Sequence, residues 1–164
     1  EITTRLVGSE MCIRDRLLIL GSFPSVKSRE MRFFYGHPQN RFWRVIAALT
    51  DYPVPHTIED KKKMLHENHI ALWDTIASCE IEGSSDSSIK GVVPNNLNII
   101  LETAPIQAVY CNGSKSYELY HKYCEKQTGM PAFKLPSTSP ANAACSLDRL
   151  IKEWSVIMDR LREV

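Results

Sequence analysis

Short apolar runs alternate with longer amphipathic segments from Leu17 to the end of the chain. Segments 17–20, 70–73, 106–111 and 132–135 have the length and apolar content of buried strands. Segments 42–49, 57–68, 94–103, 114–125 and 146–161 carry the spacing or the start signals of helices. Strands that alternate with helices pair in parallel and carry helices on both faces. The pattern therefore predicts a three-layer α/β/α sandwich with a central four-stranded parallel sheet.

Three local signals predict where helices begin. Asn40 precedes the helix at 42–49 and can cap it. The letters "TIED" form a capping box in which Asp60 stands in place of glutamate. Pro94 suits the first turn of the helix at 94–103. The Lys61–Lys63 run is predicted to be a solvated helix face.

The first sixteen residues look foreign to the rest of the chain. Within "SEMCIRDR", the letters from Met11 to Arg16 match the translation of a sequencing adapter. We therefore expect residues 1–16 to be a non-native segment and residues 17–164 to form a single domain. A native N-terminal segment is the alternative.

Composition and charge exclude several classes of protein. The chain has 164 residues, 43% of them hydrophobic and 24% charged, with a net charge of +1. These values are typical of one globular domain and exclude a disordered or strongly DNA-coating chain. No apolar run approaches the roughly 20 residues of a membrane span. The five cysteines form no CxxC pair, so we expect reduced thiols, a cytoplasmic location and no metal site.

Four segments with unusual chemistry are expected to meet at one edge of the sheet. They follow the predicted strands and cover 21–40, 74–90, 112–116 and 136–142. Ligands of open α/β sheets bind beyond the carboxyl ends of the strands. Tyr35 and the adjacent Phe33 and Phe34 offer flat surfaces for a planar ring, and Asn40 and Asn112 offer amides. The alternatives are that Asn40 only caps a helix and that the aromatic residues belong to the core.

Three motifs carry a resemblance to a known family. They are "GSFPSVKSREMRFFYGHPQNRFW" at 21–43, "NGSKS" at 112–116 and "PSTSPANA" at 136–143. The first is similar to the first motif region of mismatch-specific uracil/thymine glycosylases. Together the motifs resemble the uracil-DNA glycosylase superfamily, and most closely its DNA-deoxyinosine, or hypoxanthine-DNA, glycosylases. The resemblance extends over 17–157 and implies a uracil-DNA glycosylase-like fold.

The resemblance implies a site as well as an activity. Mismatch-type enzymes carry their catalytic asparagine where this chain has Phe23, so the resemblance transfers that role to Asn40. The implied base pocket comprises Gly21, Ser22, Phe23, Pro24, Tyr35, His37 and Asn112, with Tyr35 as the stacking aromatic. The implied DNA-binding loop comprises Ser137, Ser139, Pro140, Ala141 and Asn142, of which one of the last three would fill the gap left by the flipped base.

The implied reaction is hydrolysis of the N-glycosidic bond of a deaminated base flipped out of double- or single-stranded DNA. Hypoxanthine is the first expectation, with uracil and xanthine as alternatives. No lysine is placed as a Schiff-base nucleophile, so we expect a monofunctional enzyme without strand cleavage. We also expect a monomer, and the resemblance implies no metal or organic cofactor. Asp74 and Asp86 are each either a general base or a turn residue.

Two rival functions remain at this stage. Phe23 in the usual catalytic position favours a catalytically inactive nucleic-acid or base-binding module of the same fold. A nucleotide hydrolase is disfavoured because the chain has no GxxxxGK[ST] phosphate loop.

Overall fold

The computed structural model describes residues 10–22, 33–80 and 90–162. Its central sheet contains four parallel strands: β1 (Leu17–Gly21), β2 (Ile70–Asp74), β5 (Ala108–Asn112) and β6 (Ala132–Leu135). Their order in the sheet is β2-β1-β5-β6. All residues of β1 and β2 are buried, as expected for parallel strands covered on both faces. The predicted four-stranded parallel sheet is therefore confirmed.

Seven helices lie in the described part of the chain. In chain order they are α1 (Phe42–Thr50), α2 (Ile58–Glu67), α3 (Asn98–Thr103), α4 (Ser114–Tyr123), α5 (Glu125–Thr128), α6 (Leu147–Trp154) and α7 (Ile157–Arg162). Phe42 of α1 and Trp154 of α6 are fully buried and meet edge to face, with ring centroids 5.9 Å apart. This contact fixes α6 against the helix that follows Asn40. No helix in the described ranges is long and apolar enough to cross a membrane.

Several helix boundaries differ from their predictions for local reasons. The Thr57 hydroxyl accepts the Asp60 backbone N–H at 3.0 Å, which confirms the cap of α2. The predicted helix at 114–125 is divided at Cys124, whose φ of −120° is not helical. The predicted helix at 146–161 ends at Trp154 and resumes at Ile157.

A hairpin replaces the predicted loop at 74–90. Strand β3 (Ile76–Glu80) pairs in antiparallel fashion with β4 (Lys90–Pro94), and its register shifts twice. Pro94 consequently ends a strand, and the following helix begins only at Asn98. The hairpin escaped prediction because neither strand shows clean alternation and each depends on the other for its hydrogen bonds.

Residues 10–16 pack against the sheet. The backbone of Glu10 exchanges two hydrogen bonds with Leu72 of β2, at 2.8 and 2.9 Å. Asp15 is fully buried and accepts the Cys12 backbone N–H. The foreign origin of residues 1–16 stays a prediction, but their described part belongs to the packed fold.

The lysine run on α2 is only partly a solvated face. The ammonium group of Lys61 lies 5.1 Å from the centroid of the Trp43 ring, and burial lowers its pKa. Lys62 and Lys63 are exposed. The first lysine of the run therefore covers α1 with its stem. The ammonium group of Lys62 lies 6.0 Å from the centroid of the Phe33 ring and 3.9 Å from a Glu10 carboxylate oxygen, and Lys63 faces solvent.

Candidate active site

The carboxyl ends of four strands meet at one edge of the sheet. Gly21 of β1 is in register with Asp74 of β2, and Asn112 closes β5 next to Leu135 of β6. The segment that contains Asn40 and the segment that follows β6 both reach this edge, through the hydrogen bonds described below. The predicted meeting of loops beyond the carboxyl ends of the strands is therefore observed for their described residues.

Thr138 joins two asparagines into one hydrogen-bonded chain. The Asn112 Nδ2 donates to the Thr138 hydroxyl at 3.0 Å, and that hydroxyl donates to Asn40 Oδ1 at 2.8 Å. The Thr138 backbone N–H donates to Asn112 Oδ1 at 3.0 Å. Thr138 is completely buried, so water does not compete with these bonds. The contact between Asn40 and Thr138 spans 98 residues of sequence.

These contacts determine which way the Asn40 amide points. Its Oδ1 accepts the Phe42 backbone N–H at 3.0 Å as well as the Thr138 hydroxyl. A backbone N–H can only donate, so the atom that faces it must be the amide oxygen. Asn40 does cap the start of α1, as one alternative predicted, but the same oxygen also joins the network. Its Nδ2 group remains the part of the amide that can hold a substrate or water.

Arg41 holds the segment after β6 in place. Its guanidinium donates to the carbonyl oxygens of Ser139 at 2.9 Å, Asn142 at 3.1 Å and Cys145. Its backbone N–H donates to the Thr138 carbonyl at 3.1 Å. A planar guanidinium with fixed donor directions suits donation to several carbonyl oxygens at once. Arg41 therefore ties the residue beside Asn40 to most of the loop at 137–145.

The loop at 137–145 also shapes itself. The Ser137 hydroxyl accepts the Ser139 N–H, and the Ser139 hydroxyl accepts the Ala141 N–H, both at 3.1 Å. The Asn142 Nδ2 donates to the Ser137 carbonyl at 3.0 Å. Each serine hydroxyl keeps its own proton for donation outside the loop. Ala141 is exposed at the tip, and Pro140 beside it is half-buried.

Tyr35 is held in an unusual backbone conformation. Its φ of 51° lies in the left-handed region, which costs free energy for a residue other than glycine. One face of its ring packs on Phe42 with centroids 4.3 Å apart, so that face is closed to a base. Its hydroxyl is buried and makes no hydrogen bond with the described residues, although Asn112 approaches it. Burial, followed by the nearby Asp74 carboxylate, raises the pKa of Tyr35, so the hydroxyl keeps its proton.

Phe33 and Phe34 do not offer free surfaces for a base. Each is only 4% exposed, and both belong to the hydrophobic core. The Phe33 ring stacks on Trp43 at 5.9 Å. The core alternative is thus correct for these two rings.

Asp74 is a buried carboxyl group beside a glycine. Its Oδ1 lies only 2.7 Å from the position that a Cβ atom on Gly21 would occupy, and the Tyr35 hydroxyl lies 3.4 Å from the same position. Any larger residue at position 21 would collide with the carboxyl group. Burial raises the pKa of Asp74 from its ordinary value of 3.8 to about 7. Asp74 therefore changes charge near neutral pH at the centre of the site.

One ring nitrogen of His37 has a defined hydrogen-bond partner. Its Nδ1 accepts the Gln39 backbone N–H at 3.0 Å. A nitrogen that accepts carries no proton, so in the neutral ring the proton resides on Nε2. The His37 carbonyl accepts the Asn40 N–H at 2.9 Å, which links both residues in one turn.

The structure brings most of the predicted residues to one edge of the sheet, and sequence reasoning missed two that organise it. Phe23, Pro24 and Asp86 lie outside the described residues. Thr138 was overlooked because its two serine neighbours carry the same chemistry, and Arg41 because it precedes the predicted helix and belongs to no catalytic pattern of its own. Thr138 is buried between half-buried Ser137 and Ser139, and this difference in burial, which distinguishes it from its neighbours, is visible only in the structure.

The fold and these motifs agree with comparisons to known proteins. The model of the uracil DNA glycosylase superfamily matches residues 9–157. The chain belongs to the uracil DNA glycosylase superfamily, and this membership places it among the DNA glycosylases.

Two curated relatives are both named hypoxanthine DNA glycosylase. The protein of Methanosarcina acetivorans is 35% identical over 143 residues, which cover 86% of this chain and 89% of the relative. That of Methanosarcina barkeri is 35% identical over 104 residues, which cover 62% of this chain and 66% of the relative. A solution NMR structure from Methanosarcina acetivorans, described as a candidate uracil DNA glycosylase, superposes with a TM-score of 0.81 at 32% identity. It covers 95% of this chain and 96% of that one.

Proposed function

We propose that this protein is a monofunctional DNA glycosylase that removes hypoxanthine from DNA containing deoxyinosine. The observation that carries the proposal is the hydrogen-bonded chain from Asn112 through Thr138 to Asn40. It orients one amide at the carboxyl edge of a sheet, where ligands of such folds bind. The names of the two Methanosarcina relatives support hypoxanthine as the base.

In the proposed mechanism, Asn40 positions the attacking water. Its Oδ1 is engaged by Phe42 and Thr138, so its Nδ2 donates to the water oxygen. The water keeps a lone pair directed at C1′ of the sugar. An amide is a poor base, but a sugar with oxocarbenium character needs only a weak nucleophile in the right place.

The bond between C1′ and the base nitrogen breaks, and its electron pair leaves with the base. The water oxygen bonds to C1′ and loses one proton to solvent, while the departing base gains one. Negative charge grows on the base during this step. The His37 Nε2–H and the backbone N–H of Ser22 are the proposed donors that stabilise it, because fixed dipoles need no reorganisation during the reaction.

The proposed role of the loop at 137–145 is to hold the strand. The protons of the Ser137 and Ser139 hydroxyls would bond phosphate oxygens. The Asn142 side chain is engaged within the loop by its hydrogen bond to the Ser137 carbonyl. Pro140 and Ala141, at the tip, are therefore the residues proposed to fill the gap left by the flipped base. Arg41 holds this loop in register with Asn40.

A gel assay tests the proposal. Duplex oligonucleotides with a single hypoxanthine, uracil or xanthine are incubated with the protein and then treated with alkali. Cleavage only after alkali, fastest for hypoxanthine, is the expected result. Cleavage without alkali would contradict a monofunctional enzyme. Retarded bands without alkali-labile product would identify a binding module instead.

The assignment of Asn40 has its own variant. Asn40→Ala should lower the single-turnover excision rate by roughly 10²-fold or more, as is typical when one preorganised polar group is lost. The affinity for DNA should change little. Gln39→Ala is the matched control, because Gln39 is adjacent and its side chain is exposed. Excision by Asn40→Ala at the parental rate would show that another residue carries the chemistry.

A further inference from the structure

Two buried hydroxyl groups lie beside the end of the central strand β1, and neither has a role in the mechanism above. Thr75 lies between β2 and β3 and is completely buried, and Ser116 lies in the first turn of α4 and is 1% exposed. Their hydroxyl oxygens are 3.4 Å apart. Burial of a hydroxyl group costs free energy unless the group is hydrogen-bonded. The partners of these two groups therefore indicate their role.

Both hydroxyl groups donate to backbone carbonyl oxygens at the end of β1. The Ser116 hydroxyl donates to the Leu20 carbonyl at 2.8 Å, and the Thr75 hydroxyl donates to the Gly21 carbonyl at 3.0 Å. The Gly21 carbonyl also accepts the Thr75 backbone N–H at 2.8 Å. Two consecutive peptide groups of β1 are thus held by side chains from two neighbouring elements. Gly21 has no side chain of its own, so hydrogen bonds to its backbone are what restrain it.

The chain turns away from the sheet directly after these two peptide groups. The Gly21 and Ser22 carbonyls both accept N–H groups from the segment that follows β2, from Thr75 at 2.8 Å and from Ile76 at 3.1 Å. A regular strand would direct successive carbonyls to opposite neighbours. The chain therefore stops following β5 at Ser22, and no backbone carbonyl of the described residues accepts the Ser22 N–H.

Peptide geometry determines the direction of the Ser22 N–H. The peptide bond between Gly21 and Ser22 is trans, and in a planar trans peptide group the C=O and the N–H point in opposite directions. The strand β1 lies between β2 and β5. Because the Gly21 carbonyl points toward Thr75 at the β2 side, the Ser22 N–H points toward the β5 side. There Asn112 ends β5 and belongs to the same hydrogen-bonded network as Asn40.

We propose that Thr75 and Ser116 are positioning residues that hold the Ser22 N–H toward the departing base. This inference rests on the proposed function, in which that N–H stabilises the negative charge that grows on the base. A donor that is fixed before the reaction needs no reorganisation during it, whereas a peptide group that can rotate loses part of its effect. Both hydroxyl protons are directed at carbonyl oxygens, so each group acts through the backbone of β1 and not on the substrate.

Substitutions at Thr75 separate the hydroxyl group from packing. Thr75→Val keeps the shape of the side chain and removes the hydroxyl, whereas Thr75→Ser keeps the hydroxyl and removes a methyl group. Ser116→Ala removes the second hydroxyl. Thr50→Val is the matched control, because the Thr50 hydroxyl also donates to a backbone carbonyl, that of Ile46, but at the end of α1 remote from Asn40.

The first measurement is single-turnover excision, at saturating protein, from duplexes that contain deoxyinosine. Thr75→Val and Ser116→Ala should each lower the rate by about 10-fold, a fraction of the 10²- to 10³-fold that complete loss of such a donor costs. Their affinity for a duplex with the 2′-fluoro analogue, which resists cleavage, should equal that of the parent, because the contact strengthens only as charge develops. Thr75→Ser should excise faster than Thr75→Val, and Thr50→Val at the parental rate.

The second measurement needs no substrate. Residual dipolar couplings of the isotope-labelled protein report the direction of the Ser22 N–H relative to the rest of the fold. The Ser22 coupling should change in Thr75→Val and in Ser116→Ala and keep its parental value in Thr75→Ser. The couplings along α6 should stay unchanged in all three variants, which shows that the fold is intact.

Several results would overturn the inference. Excision at the parental rate by Thr75→Val and Ser116→Ala is one, and slow excision with an unchanged Ser22 coupling is another. Slower excision by Thr75→Ser than by Thr75→Val would assign the effect to packing instead of the hydroxyl. If the parent excises no base, the proposed function fails and the couplings decide: a Ser22 coupling that changes only when a hydroxyl is lost supports the positioning role, and an unchanged coupling refutes it.

Discussion

The burial of Asp74 predicts an unusual dependence of stability on pH. The pKa of the Asp74 carboxyl group is about 7 in the folded protein, whereas its ordinary pKa in an exposed chain is 3.8. Between these values the folded state binds more protons than the unfolded state, so the free energy of unfolding falls as pH rises. The difference of about 3 pKa units corresponds to an upper limit of about 4 kcal/mol.

Asp74→Asn removes this effect, because an amide of the same shape does not titrate. Near pH 4 the difference in the free energy of unfolding between the variant and the parent should be close to constant. The variant should then gain stability relative to the parent as pH rises to 8, by up to about 4 kcal/mol. For a chain of this length that gain raises Tm by about 10 °C.

Urea unfolding followed by circular dichroism at several values between pH 4.5 and 8.5 measures this difference. Subtracting the two curves cancels the histidines and other groups that titrate in both proteins. Glu102→Gln, which removes one negative charge at an exposed position on α3, is the control and should give a flat difference. A flat difference for Asp74→Asn as well would show that Asp74 ionises in its ordinary range, and the argument from burial would be wrong.

Three further predictions follow from the network around Asn40. Thr138→Val leaves Asn112 without its hydroxyl partner and should lower single-turnover excision by about 10-fold or more, with binding unchanged; equal rates would show that Asn40 is oriented by the α1 backbone alone. Arg41→Lys, which cannot reach three carbonyls at once, should weaken excision from paired duplex more than from single strand, and an equal effect on both would indicate a general loss of stability. The double change of Ser139 and Asn142 to alanine should also lower excision from paired duplex more than from single strand, because help with flipping matters only for a stacked base. If the two residues only cap a helix, the change should lower protein stability by about 1 kcal/mol and reduce excision equally on every substrate.

The fold class could be predicted because its signals are local. The four parallel strands are short apolar runs separated by helical segments, and each is visible without knowledge of the others. The position of Asn40 at the carboxyl edge follows from the same order of elements. The hairpin of β3 and β4 was missed, because its strands carry little hydrophobic alternation and are defined by pairing with each other.

Only the tertiary structure decided how the site is built. Thr138 reaches Asn40 across 98 residues of sequence, and nothing in "PSTSPAN" distinguishes its hydroxyl from those of its neighbours. The sequence places Asp74 after a strand, but its raised pKa depends on burial beside Gly21, which is a property of packing. Phe33 and Phe34 show the reverse case, since their adjacent rings suggested a binding surface and packing placed both in the core. Periodicity determines which elements form, whereas hydrogen bonds between distant loops and the dielectric around an acid depend on how those elements assemble.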